Sequence, residues 1–313
     1  MELFVSMEAH RATYEQQLAV ARAAERLGFG GVFRSDHFLG WAPGASPGSP
    51  TEVWTTLAGL SRETRRVRLG SLLSAAPFRS PALLATVVAQ LDEMSGGRVE
   101  LGLGAGWFAR EHHAMGVPFR SPAERFAALE EQLAIIRGLW EASAQRPFGF
   151  AGAHHRLQAN PGPRTGSGRP RPRITVGGRG RVRTPRIAAR FADEHNLARP
   201  SPEAAAAAIA RGRAECRAIG RDPASLRHSA LLRVCCGATE DQARERAARA
   251  GAGRAPGTVT GTPSQVVAEL AGYAALGVSR VYCQLVDLAD LAHLELLASA
   301  VLPEVEAMTG PRA

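Results

Sequence analysis

The chain has 313 residues, 45% of them hydrophobic and 21% charged, a globular balance that excludes disordered, collagen-like and disulfide-scaffold proteins. The formal charge is +9, and all 38 basic residues are arginine. Eleven of them lie between Ala142 and Ala192, a window without aspartate or glutamate. The charge therefore belongs to one segment, whereas a diffuse nucleic-acid surface would spread it more widely.

Eight short apolar runs read as strands: Glu2–Ser6, Gly31–Ser35, Val67–Leu73, Val99–Gly104, Arg173–Val176, Glu194–Ala198, Ala230–Cys236 and Arg280–Leu285. Helical patterns lie between them, at Tyr14–Leu27, Pro81–Met94, Pro122–Trp140, Pro202–Ile219 and Pro263–Leu276. Alternation on this scale predicts an α/β fold, a (β/α)8 TIM barrel over residues 1–313 as one domain. Loop insertions near 38–50, 142–171 and 249–261 are expected at its C-terminal face. Ser121-Pro122-Ala123-Glu124 and Thr262-Pro263-Ser264-Gln265 read as capping boxes, and Ser80, Ser201 and Thr184 as further helix caps. Gly28, Gly138, Gly220 and Gly277 sit where helices should stop.

The four cysteines have no metal-ligand spacing, so no metal is expected, and they read as reduced core residues. No secretory apolar region opens the chain, and no apolar run nears the ~20 residues of a membrane span. A cytoplasmic protein without a membrane or nucleic-acid partner is expected. The apolar helices near the C-terminus could supply a homodimer interface.

In a barrel of this class the site forms at the C-terminal ends of the strands. Asp36-His37 follows strand two, with Trp41 four residues on, and such a pair can orient an imidazole for acid/base work near neutral pH. A structural histidine bonded to a loop carbonyl is the plainer reading of that pair. Small residues follow strand three at Leu72-Leu73-Ser74. Gly104-Ala105-Gly106-Trp107 follows strand four, with Glu111 and His112 beyond, and its glycines allow a ligand close to the backbone. After strand five, Gly177-Gly178-Arg179-Gly180 precedes Thr184-Pro185 and a helix. Free N–H groups at such a start, with arginines alongside, suit a phosphate or carboxylate. Gln284 and Asp287, after strand eight, either close the site or cap the last helix.

Set in order, these segments resemble the bacterial-luciferase-like monooxygenase superfamily, in its coenzyme F420-dependent branch. The matching stretches are FRSDHF at 33–38, WTTLAGLSRETRRVRLGSLLS at 54–74, MSGGRVELGLGAGWFAREH at 94–112, ERFAALEEQLAIIRGLW at 124–140, TVGGRGRVRTPRIAARFADEHN at 175–196 and GVSRVYCQLVDLADLAHLELLASAVLP at 277–303. The resemblance implies F420 bound at the barrel mouth, with flavin mononucleotide as the alternative cofactor, and hydride transfer to or from a small-molecule substrate. It implies that His37 exchanges a proton or stabilises charge, with Asp36 orienting it and Glu111 and His112 as further candidates. Leu72, Leu73 and Ser74 would back the ring, around a non-prolyl cis peptide, with Ala105 and Gly106 near it. Gly177, Gly178, Arg179, Gly180 and Thr184 would hold the phosphate, and Trp41 and Trp107 would flank the substrate pocket. The cationic window would suit the phosphodiester and polyglutamate tail of F420. An Arg-rich nucleic-acid-binding protein is the distant alternative, and a relative that binds cofactor without turnover is another.

Overall fold

The computed structural model describes residues 1–9, 12–40, 50–164, 171–251 and 255–308. Eight parallel strands close a ring: β1 (Glu2–Met7), β2 (Gly31–Arg34), β3 (Arg68–Ser71), β4 (Val99–Gly104), β5 (Arg173–Gly177), β6 (Glu194–Ala198), β7 (Arg227–Cys236) and β8 (Arg280–Leu285). Each pairs with the next, and β8 returns to β1 with Glu2 opposite Arg280. All eight expected strands are present. Helices wrap the ring: α1 (Tyr14–Arg26), α2 (Val53–Glu63), α3 (Pro81–Ser95), α4 (Ala109–Ala114), α5 (Pro122–Glu141), α6 (Arg183–Phe191), α7 (Pro202–Ala218), α8 (Glu240–Arg249), α9 (Pro263–Ala275), α10 (Leu291–Ala300) and α11 (Leu302–Ala307). This is the (β/α)8 architecture, with residues on both faces of the strands buried, as a parallel sheet covered by helices requires.

The barrel lumen is filled in layers. At its N-terminal end the Arg280 guanidinium, fully buried, bonds Glu100 at 2.8 Å, Glu194 at 2.9 Å and Glu2 at 3.1 Å. Burial pushes the Glu100 carboxyl up, but Arg280 and Arg68 override it and hold it down to about 2. Above this layer Tyr282 packs edge to face on Phe4 and Phe33, which tilt against each other at 46°, with centroids 4.9 to 5.7 Å apart. Gly70 is a space requirement of that layer, since a Cβ there would lie 2.4 Å from the Phe33 ring. The site described below opens above these rings.

Several local expectations change. Gly138 lies inside α5, where a Cβ would strike the Phe148 ring at 2.2 Å, so it makes room and ends nothing. Helix α6 starts at Arg183 with no side-chain cap, which puts Thr184 inside its first turn. Ser80 makes no capping hydrogen bond, whereas Ser121 and Ser201 do. The 142–171 insertion joins α5 to β5, so it enters from the N-terminal side of the barrel rather than its C-terminal face. It contains an antiparallel hairpin, Phe148–Ala151 with Arg156–Asn160, whose turn N–H groups at Ala153 and His155 donate to Glu131 of α5 at 2.7 and 2.8 Å. A short strand, Thr258–Gly261, extends the edge of β7. The C-terminal helices bury Leu294, Leu297 and Val305 within the chain itself.

Between the sheet and α7, His195 and His228 face each other with ring centroids 5.6 Å apart. Burial drives their pKa values down, to about 3 and about 4, so both are neutral in the fold. The unfolded chain binds these protons nearer pH 6.5. Stability is therefore complete above that value and falls as pH drops below it. Between pH 7 and pH 5 the loss should be on the order of 1–2 kcal/mol per histidine. Denaturant midpoints across that range should show it, and His195→Asn with His228→Asn should flatten the slope.

Candidate active site

A cavity of about 490 Å³ opens at the C-terminal mouth of the barrel. Its walls include Asp36, His37, Leu72, Leu73, Ser74, Ala105, Gly106, Trp107, Glu111, His112, Gly177, Gly178, Arg179, Gly180 and Thr184. Residues expected at five different chain positions are thus brought to one place. Trp41, and with it most of the 38–50 insertion, lies outside the described residues.

The imidazole of His37 has a carboxylate partner, but not its chain neighbour. Its Nδ1 lies 3.1 and 3.3 Å from the two oxygens of Glu111, on α4. Glu111 Oε1 also accepts the N–H groups of Phe38 at 2.6 Å and Leu39 at 3.1 Å. Those bonds and His37 outweigh the burial that would raise its pKa, and the carboxyl is held below its usual range. Burial works against charge on His37 as well, yet Glu111 more than offsets it and lifts the histidine above its ordinary value. Trp107 and Phe108 stand edge-on to the ring, at 5.8 and 6.0 Å.

Asp36 turns the other way. Both of its oxygens meet Arg79, which also bonds Glu52 at 2.6 Å. The expectation that Asp36 orients His37 is therefore corrected: that position is taken by Glu111. Consecutive residues leaving a strand point in opposite directions, so an Asp-His dipeptide does not make an Asp-His pair. Asp36 instead ties the end of β2 to the segment after β3 and the start of α2.

The Leu72-Leu73 peptide is cis, at the position the resemblance indicated. Opposite it, Gly178 has φ +136°, a conformation suited to glycine, in the turn leading to α6. The Arg179 Nε donates to the Ala198 carbonyl at 3.3 Å, and Arg179 has no acidic partner among the described residues. Other arginines of the cationic window are paired from outside it: Arg171 with Asp193 at 2.7 Å and Arg186 with Glu130 at 3.1 Å. The charge left facing the cavity is thus smaller and more local than composition suggests.

The sequence profile of the luciferase-like monooxygenase family matches residues 1–257. The chain belongs to this family. It is similar to the F420-dependent glucose-6-phosphate dehydrogenase of Intrasporangium calvum, 38% identical over 120 residues, which are 37% of this chain and 35% of that protein. It is also similar to the FMNH(2)-dependent dimethylsulfone monooxygenase of Pseudomonas putida, 30% identical over 166 residues, 52% of this chain and 43% of that one. The chain thus spans about a third of the length of the first relative. Its fold matches an F420-dependent secondary alcohol dehydrogenase solved with an F420-acetone adduct, with a TM-score of 0.82 and 19% identity, covering 97% and 98% of the two chains.

The luciferase-like cavity also takes in Glu8, Ser35, Arg125, Asn196 and Arg199, which the sequence did not single out. Glu8, at the end of β1, gives one oxygen to Gln284 at 2.7 Å, and its other oxygen has no partner. Ser35 Oγ, Ser74 Oγ and His112 Nε2 are likewise buried and unpartnered on the same walls. Buried polar atoms without partners are costly, so four of them around one cavity fit a ligand with a polar edge. His112 is wedged between Phe78 and Phe119, at 4.8 and 5.0 Å, and its burial keeps it below the usual histidine range. Gln284 proves to be a wall residue, and among the described residues no cluster of three or more metal-ligating side chains is present.

Exchanging Glu111 for Gln should move the His37 titration down, because it removes the carboxylate that favours the charged ring. The pairing stabilises the fold below the histidine's unfolded value and fades as pH rises past its folded one. Asp36→Asn should leave that titration nearly in place. Ring-proton NMR against pH distinguishes the two, and a larger shift in Asp36→Asn would reverse the assignment.

Proposed function

We propose that the protein is an oxidoreductase that uses the deazaflavin coenzyme F420 to move a hydride to or from a small organic substrate. The observation carrying this reading is the His37–Glu111 pair, set beside unpartnered polar walls and opposite the Arg179 turn in one cavity. When bound, F420 supplies a hydride-transferring ring carbon and does not readily activate oxygen, while the protein supplies orientation and electrostatics. Leu72, Leu73 and Ser74, with Ala105 and Gly106, would border the ring. The Gly177–Gly180 turn, Thr184 and the start of α6 would meet the phosphate, where free backbone N–H groups and the helix dipole favour an anion.

In this reading His37 gives its Nδ1 proton to the hydrogen bond with Glu111. That leaves Nε2 to exchange a proton with the substrate oxygen or nitrogen. Glu111, itself held ionised by two backbone N–H groups, keeps the ring in place and favours its protonated form. Trp107 and Phe108 exclude water from the edge of His37 and shape the substrate side. A flavin mononucleotide-dependent monooxygenase is the second reading, supported by the Pseudomonas putida relative, which spans more of the chain than the dehydrogenase does.

Titration with F420 and with flavin mononucleotide, followed by tryptophan fluorescence at two salt concentrations, separates the readings. Tighter binding of F420, weakening with salt, is expected, and preference for flavin mononucleotide would replace it with the second reading. With F420 bound, His37→Ala should lower turnover about 10²–10⁴-fold, the usual contribution of a positioned acid or base.

We place the protein in the cytoplasm, as a homodimer acting on a small molecule. No helix among the described residues is long and apolar enough to cross a membrane. The dimer reading rests on α3, where Leu83, Val87 and Met94 share one face and are 69%, 42% and 38% exposed. Sedimentation of the wild type should give a dimer and of Leu83→Glu a monomer, and a monomeric wild type would end the proposal.

A further inference from the structure

A second cavity, about 500 Å³, opens at the opposite, N-terminal end of the barrel. Arg213 of α7, the segment Asp222–Leu226, the first residues of β7 and the turn before β8 form its walls. The chemistry proposed above uses none of them. His228 in this wall is 3% exposed, and neither of its ring nitrogens has a hydrogen-bond partner. A neutral imidazole always carries one N–H, and a buried donor without an acceptor calls for an explanation. The ring has little freedom to turn away, because Gly212 of α7 lies against it and a Cβ there would be 2.8 Å from Cε1.

The charges around this cavity are unevenly matched. Arg227 is held by Glu2 at 3.0 Å, and Asp222 uses its carboxylate to cap the Ala224 N–H at 2.9 Å. Arg213 has no ion pair or hydrogen bond among the described residues, and its guanidinium lies over Gly277, 2.8 Å from where a Cβ would stand. Ser279 adds a hydroxyl, and Pro223 and Leu226 add apolar surface. The volume falls within the ~300–1,000 Å³ typical of small-molecule sites.

We propose that this cleft binds a small organic monocarboxylate. The carboxylate sits on the Arg213 fork, whose planar donors match it in shape, and accepts the His228 N–H. The aliphatic body lies on Pro223 and Leu226. One unpaired arginine against a capped aspartate favours a single negative charge on the ligand.

The test uses the full chain and follows the His228 ring signals by ¹H–¹⁵N NMR, assigned with His228→Asn, during titration with butyrate and, separately, with the neutral n-butyramide. Butyrate should shift the His228 signals to saturation and the amide should not. Arg213→Ala should weaken butyrate binding at least tenfold, and because Arg213 is exposed the substitution leaves the core untouched. Arg179→Ala, at the other end of the barrel, should change nothing at His228. Absence of saturation would overturn the proposal. So would an equal response to the amide, or a loss produced by Arg179→Ala and not by Arg213→Ala.

Discussion

The fully buried guanidinium of Arg280 ties the barrel together. It comes from β8 and meets carboxylates from β1, β4 and β6, with its charge 4.0 Å from the centre of the Phe4 ring. An ion taken out of water is tolerable only where partners surround it. Here the partners stand on different strands, so the charge is satisfied only once the ring is closed and in register. Replacing such a cluster by apolar residues can leave stability unchanged or raise it, so its value here is to specify which residues face each other. The Tyr282 hydroxyl, 2.8 Å from Glu194, joins the ionic layer to the aromatic layer above it. Those aromatic rings in turn close the lumen below the mouth cavity.

A second network of the same kind holds the mouth. Arg79 spans Asp36 and Glu52, and Glu111 spans His37 and two backbone N–H groups. Both join the segment after β2 to other parts of the chain, one through the turn after β3 and one through α4. The segment carrying His37 is therefore held at neighbouring residues through two carboxylates doing different tasks. Asp36 holds the loop in place, while Glu111 sets the charge of the ring.

Much of the barrel was legible in the sequence, because buried parallel strands are short apolar runs and helix starts carry capping residues. The missed elements lack that signature. The Phe148–Asn160 hairpin has strands of only four and five residues, neither with a fully buried position, so no sustained apolar run marks it. Gly138 looked like a stop, but its cause, the ring of Phe148, comes from a strand ten residues later that was itself unseen. At the site, the strand-end rule and the resemblance placed residues at the mouth, but neither gives pairings. His37 and Glu111 are 74 positions apart, and only the closed ring brings them within 3.1 Å. Glu8, Arg125 and Asn196 are single residues of ordinary type, with nothing in their neighbours to single them out.

Charge shows the same gap between composition and place. The Ala142–Ala192 window has no acids of its own, and read along the chain it is a block of positive charge. Folding brings Asp193 and Glu130 to its arginines, so some of those charges are already matched before any ligand arrives. Arg179 is different because it lies in a glycine turn at the head of a helix, where the nearest partners are carbonyls and free N–H groups. An anion at that point meets the Arg179 guanidinium, the neighbouring Arg181 and Arg183 and the helix dipole, while Arg171 and Arg186 are already paired elsewhere. Salt screens exposed charges beyond about 8–10 Å at ordinary ionic strength, so matched arginines elsewhere add little there. Attraction at the mouth is therefore short-ranged and directional.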